Sequence, residues 1–119
     1  MRVQTGENWW FPRDMANAIA AGASDLAMLD VMKIGGVTGW LRAMGQAAAA
    51  SLPVSSHIFV EASAHLLAVT PTAHWLEWLD LAGAILAEPC RPVDGKVTAR
   101  GPGLGLAWDE AAVARFKAA

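Results

Sequence analysis

The sequence predicts an α/β fold in which parallel strands alternate with helices, amounting to half of a (β/α)8-type barrel. Short runs suited to buried strands alternate with longer segments of helical periodicity, the pattern of repeated βα units and hence of a parallel sheet. Each of the four strand candidates ends on a polar residue, in order Glu7, Asp30, His57 and Glu77. The C-terminal strand ends are where a (β/α)8 barrel carries its chemistry. A complete barrel takes about 250 residues, and this chain has 119.

The first strand is expected from Val3 to Glu7, followed by an aromatic loop and a helix that Pro12 can open at its first position. Met15, Ala18 and Ile19 share one face of that helix, and Gly22 suits its stop. Leu26-Ala27-Met28-Leu29 is a continuous apolar run, as expected of a buried parallel strand, and it leads into Asp30. Gly35-Gly36 makes a turn, Thr38 can cap, and Trp40, Met44, Ala47 and Ala48 give the next helix its apolar stripe. Pro53 to His57 is the third strand, and the helical pattern through Ala62, Leu66 and Val69 should stop before Pro71. His74 to Glu77 is the fourth. Beyond it the chain is punctuated by Gly and Pro until Asp109 caps a terminal helix through Phe116, with Trp108 and Val113 at the spacing of a hydrophobic staple.

Composition narrows the function classes. With 55% apolar and 17% charged residues the chain should bury a core, and a net charge of -2 spread along it offers no footprint for nucleic acid or an anionic membrane. There is neither a run of about 18 apolar residues to span a bilayer nor the apolar stretch of a signal peptide, so a cytoplasmic location is expected. Cys90, the single cysteine, allows no internal disulfide and reads as an inert thiol. Six tryptophans and long alanine-rich stretches leave little polar surface for a free-standing domain. That imbalance points to missing neighbours.

Four residues can carry chemistry. Glu7 is either a solvated loop carboxylate or a hard oxygen ligand for Mg2+. Asp30 and His57, on adjacent strands, can pair so that the carboxylate sets the imidazole tautomer and raises its basicity; the alternative is a histidine satisfied by backbone. Glu77 is either a surface acid or, if desolvated, a carboxylic acid that donates a hydrogen bond to a developing oxyanion. Gly35-Gly36 could cradle a phosphate but is more simply a turn. Lys33, His65 and His74 read as structural or solvated. The tryptophans read as core and interface residues, although Trp9 and Trp10 could wall a pocket.

Several ordered segments carry a family resemblance. Gly6-Glu7-Asn8-Trp9, Leu26-Ala27-Met28 with Asp30, Met32-Lys33-Ile34-Gly35-Gly36-Val37-Thr38-Gly39-Trp40, Ser55-Ser56-His57, Ser63-Ala64-His65-Leu66-Leu67-Ala68 and Thr70-Pro71-Thr72-Ala73-His74-Trp75-Leu76-Glu77 resemble the C-terminal half of the mandelate racemase group of the enolase superfamily. The likeness runs from Gly6 to about Trp108. It implies the C-terminal half of the barrel and a Mg2+-assisted reaction, in which a base removes the proton α to a carboxylate of a small 2-hydroxy acid and an enediolate forms. By the same resemblance His57 is the base or acid on one face of the substrate and Asp30 its dyad partner. Glu77 is then the acid that bonds the substrate carboxylate, and Glu7 the last of three metal carboxylates.

The resemblance also says what this chain should lack. The family's Lys-x-Lys base, its two other metal carboxylates, its first barrel strands and its N-terminal capping domain have no counterpart here. Residues 1–119 are therefore expected to be one partial barrel domain, a fragment of an isomerase that by itself binds Mg2+ weakly and is inactive. An acid-sugar dehydratase of the same group shares Glu7, Asp30 and His57. A different expectation is a non-catalytic half-barrel that covers its open edge and apolar face by pairing with itself or with another chain.

Overall fold

The computed structural model describes residues 1–118. Four strands, β1 (Gln4–Thr5), β2 (Leu26–Asp30), β3 (Val54–His57) and β4 (Ala73–Leu76), form one sheet in the order β1-β2-β3-β4, every neighbouring pair parallel. Helices α1 (Phe11–Ala20), α2 (Gly36–Ala49) and α3 (Val60–Ala68) make the crossovers, and α4 (Glu110–Arg115) closes the described chain. This is the expected half-barrel. Among the described residues no helix is long and apolar enough to cross a membrane.

Strand alternation divides the sheet into two faces. Ala27, Leu29 and Val54 point toward the helices and are fully buried with Met15, Trp40, Ala43 and Ala47, forming the core with Val31, Ile34 and Leu66. The opposite face carries Met28, Asp30, Ser55 and His57, and is polar toward the strand ends. Trp40 alone among the tryptophans is fully buried; Trp10, Trp75, Trp78 and Trp108 are exposed. Trp40 thus takes the core role, with Trp9 packed against the core from its edge.

Helix ends follow local chemistry. Gly22 stops α1 as expected, with its N–H on the carbonyl of Ile19 and the Ala23 N–H on that of Ala18, the hydrogen-bond pair of a Schellman ending. Asp109 caps α4 by accepting from the Ala112 N–H at 2.9 Å. α3 ends at Ala68, before Pro71, although Val69 is exposed rather than part of the packed stripe. Thr38 does not cap α2: the helix begins at Gly36, which places Thr38 inside its first turn. At Gly39 a β-carbon would lie 2.0 Å from the Ile34 carbonyl oxygen, so α2 can approach the loop after β2 only because nothing is there.

Two strand boundaries shift from expectation. β1 ends at Thr5 because Gly6 takes φ +128, which breaks the extended path and carries Glu7 off the strand. β4 begins and ends one residue earlier than expected, leaving Glu77 just past its end. The register between β3 and β4 also slips, between the Val54–Ala73 and Ser56–Leu76 pairs. Serine hydroxyls fill the gap: Ser55 Oγ accepts from the Trp75 N–H at 3.4 Å and Ser56 Oγ from the Glu77 N–H at 3.2 Å.

Candidate active site

Parallel pairing sets the centre of the site. Asp30 and His57 are register partners at the ends of β2 and β3, and Asp30 Oδ2 lies 2.8 Å from His57 Nδ1. Asp30 is 3% exposed, and a buried carboxylate needs its lone pairs met. Its other oxygen, Oδ1, accepts from the backbone N–H groups of Met32 at 2.7 Å and Lys33 at 3.1 Å. The turn after β2 therefore holds Asp30 in one orientation, and Asp30 holds the imidazole. With the proton on Nδ1, the lone pair of Nε2 is directed away from Asp30.

Glu7 reaches the same imidazole from β1. Its Oε2 stands 3.6 Å from His57 Nε2, beyond hydrogen-bond length, so Nε2 has no hydrogen-bond partner among the described residues. Asn8 Nδ2 donates to Glu7 Oε1 at 3.3 Å and Lys33 Nζ to Asn8 Oδ1 at 2.6 Å. Lys33 thus connects to the rim through Asn8, a link that its place one residue after Met32 in a loop did not reveal. Trp9 lines the shallow depression beside Glu7 with Gln4, Thr5, Asn8 and Met28, as one of the two expected walls; Trp10 is not among its lining residues.

Glu77 approaches from β4. Its Oε2 accepts from the Ile58 backbone N–H at 3.0 Å, so the carboxylate is tied to the peptide next to His57. Glu77 is exposed among the described residues, so the desolvation that a hydrogen-bond-donating acid requires is not met by this chain alone. Ile58 and Phe59 have φ +39 and +47, and left-handed backbone at a β-branched residue costs on the order of 1–3 kcal/mol. The turn that aims His57 is a strained one.

All four candidate residues gather at the strand ends, with Asp30, His57 and Glu7 in one cluster and Glu77 joined to it through Ile58. Ser55 lies beneath, within 3.4 Å of Gln4 Oε1 and 3.3 Å of His74 Nδ1, so His74 has the structural role expected of it. At Gly35-Gly36 the Gly36 N–H is bonded to the Val31 carbonyl at 2.8 Å, as in a turn. In the sequence Ser55 and Ser56 stand only as part of the family-like segment with His57, and the spacing of Ser55 two residues before His57 on one strand face is the available signal for its place in the site.

The carboxylates present test the fit of Mg2+. Glu7 is a single side chain, 51% exposed, and among the described residues no group of three or more His, Cys, Asp or Glu is placed to hold a metal ion. Mg2+ requires several oxygens in near-octahedral array. These residues do not fit a complete Mg2+ site. A separate cavity of about 200 Å3 lies away from the strand ends, between α3 and residues 88–106, and Cys90 lines it. Burial, and then the nearby Glu61, push the Cys90 thiol up against the opposing pull of Arg100, which favours the inert thiol.

Comparison with known proteins matches this geometry. Residues 1–112 match the family described as enolase C-terminal domain-like. An enolase from Bradyrhizobium, complexed with magnesium and mandelic acid, superposes with TM-score 0.94 at 70% sequence identity, over 97% of this chain and 32% of that one. An enolase from alpha proteobacterium bal199 with bound magnesium gives TM-score 0.92 at 50% identity, over 97% and 32%. D-gluconate dehydratase of Thermoproteus tenax is 30% identical over 128 residues, covering 98% of this chain and 26% of that protein. The chain spans about a quarter to a third of the length of these relatives.

Proposed function

Because the chain belongs to the enolase C-terminal domain-like family, we propose that it supplies the acid–base part of a mandelate racemase-like enzyme that removes the proton α to the carboxylate of a small 2-hydroxy acid. The observation that carries this reading is the buried Asp30 carboxylate 2.8 Å from His57 Nδ1 at two adjacent strand ends. Asp30 accepts a hydrogen bond from Nδ1–H, which stays on the ring, the Nε2 lone pair takes the substrate's α-proton, and the imidazolium that forms is stabilised by the same carboxylate. Glu77 donates a hydrogen bond to the substrate carboxylate as it gains charge on the way to the enediolate. Racemisation also needs a base on the opposite face, which other barrel strands must contribute. In an assembled barrel Glu7 would be one oxygen ligand of a Mg2+ that further carboxylates would have to complete, and the ion would supply charge stabilisation to the substrate carboxylate.

A second reading, acid-sugar dehydration, is supported by the 30% identity to D-gluconate dehydratase over 98% of the chain. The 70% identity to a protein holding mandelic acid favours the racemase. An assembly role without catalysis finds support in exposed apolar residues such as Trp75, Leu81 and Trp108, but it gives no reason for a buried carboxylate bonded to His57.

The reading is tested by grafting. This chain replaces the matching segment of the Bradyrhizobium protein, and the chimera is given one enantiomer of mandelate and, separately, gluconate, with Mg2+. Racemisation followed by circular dichroism is the expected result. Dehydration of gluconate without mandelate racemisation would move the assignment to the second reading, and a folded chimera that does neither would sink both.

A further inference from the structure

We propose that Ser63 is a positioning residue for the acid–base site, acting through the Ile58 peptide; the proposal rests on the reading that His57 and Glu77 carry the chemistry. The Ile58 peptide lies at a junction. Its N–H donates to Glu77 Oε2 at 3.0 Å, its carbonyl accepts from Ser63 Oγ at 2.7 Å, and the residue before it is His57. Whatever fixes Ile58 therefore fixes how the acid of β4 stands relative to the base of β3.

Ser63 is placed to do only that. It lies on α3 and is fully buried. Its backbone N–H already bonds the Phe59 carbonyl at 2.9 Å, and the Ala62 N–H bonds the same oxygen at 3.1 Å. A helical serine commonly turns its hydroxyl back to the carbonyl four residues earlier. Here the hydroxyl reaches one residue further, to the Ile58 carbonyl, which receives no backbone N–H from the start of α3.

The conformation it holds resists keeping. Ile58 and Phe59 both have positive φ, a region that β-branched and bulky residues avoid, so such a turn persists only where surrounding contacts over-determine it. Three contacts do so: the Phe59 side chain packs against the core, Glu77 takes the N–H of Ile58, and Ser63 takes its carbonyl. Alanine at 63 would fit the space but remove the third contact and orphan a carbonyl. Threonine would keep the hydroxyl.

The test is amide hydrogen exchange and NMR on the full 119-residue chain with Ser63→Ala and Ser63→Thr. In Ser63→Ala the Ile58 amide should exchange about tenfold faster, the factor one net hydrogen bond carries, and the Glu77 carboxyl carbon resonance should move, while amides of β2 and the middle of α2 keep their protection. Ser63→Thr should restore both signals. If Ser63→Ala does not fold, Ser63→Cys, nearly isosteric and a weak donor, must show the same two changes. Unchanged Ile58 exchange in a folded variant, uniform acceleration across the chain, or no rescue by threonine would each overturn the proposal. Failure of the racemase reading would show in the chimera's turnover and leave Ile58 exchange untouched.

Discussion

Asp30→Asn in the chimera lowers turnover by about 10³–10⁴-fold, the loss seen when a histidine base is left in the wrong tautomer, and leaves the fold standing. Asparagine keeps an oxygen where Oδ1 accepts the Met32 and Lys33 N–H groups, so both stay satisfied. At the other position an amide nitrogen replaces Oδ2, 2.8 Å from His57 Nδ1. That nitrogen donates and cannot accept, so Nδ1 must become the acceptor and the ring proton moves to Nε2. The lone pair that should take the substrate proton is then gone. Asp30→Ala should lose activity as well, but also stability, by about 1–3 kcal/mol for each buried N–H left without a partner. Steady-state rates and urea melts of the two variants separate tautomer from scaffold, and equal activity in Asp30→Asn and the parent would contradict the assigned role.

The second large effect is on stability. Trp40→Ala should cost about 3–5 kcal/mol, the range for emptying a large aromatic from a core, out of the 5–15 kcal/mol or so that a small domain has in total. Trp40 is the bulkiest fully buried side chain. Its Nε1–H donates to Thr70 Oγ1 at 3.0 Å, and Thr70 in turn donates to the Leu66 carbonyl at 2.7 Å. One residue of α2 thereby fixes the end of α3 and the approach to β4, the strand that presents Glu77. Trp40→Phe should cost less, since it keeps most of the packing and loses the hydrogen bond. Denaturant midpoints for the two variants measure the split, and a loss in Trp40→Ala no larger than in Trp40→Phe would show that packing at this position matters little.

What could be read from the sequence follows from what each signal depends on. The strand Leu26 to Leu29 was legible because burial on both faces demands an unbroken apolar run, and Asp30 stood out as the polar residue that ends it. His57 could be paired with Asp30 once the strands were taken as parallel neighbours, because register then follows from the strand ends. Boundaries set by tertiary contact were not legible. β1 stops at Thr5 through the backbone of Gly6, and α2 starts at Gly36 because the chain folds back on Val31 there, where local capping rules favoured Thr38. The β3–β4 slip and the serines that fill it depend on a partner strand about twenty residues away in sequence, beyond any local pattern. The Mg2+ expectation came from Glu7 as a hard oxygen ligand and from the family resemblance. Among the described residues Glu7, Asp30 and Glu77 are not grouped to hold the ion.

If Asp30 and His57 act as a proton-transfer unit, incorporation of deuterium at the α-carbon of mandelate in D2O with Mg2+ should report it. The chimera should exchange, the 119-residue chain alone should not, and His57→Asn should lose exchange from one substrate face. Exchange from both faces undiminished in the His57→Asn chimera would contradict it.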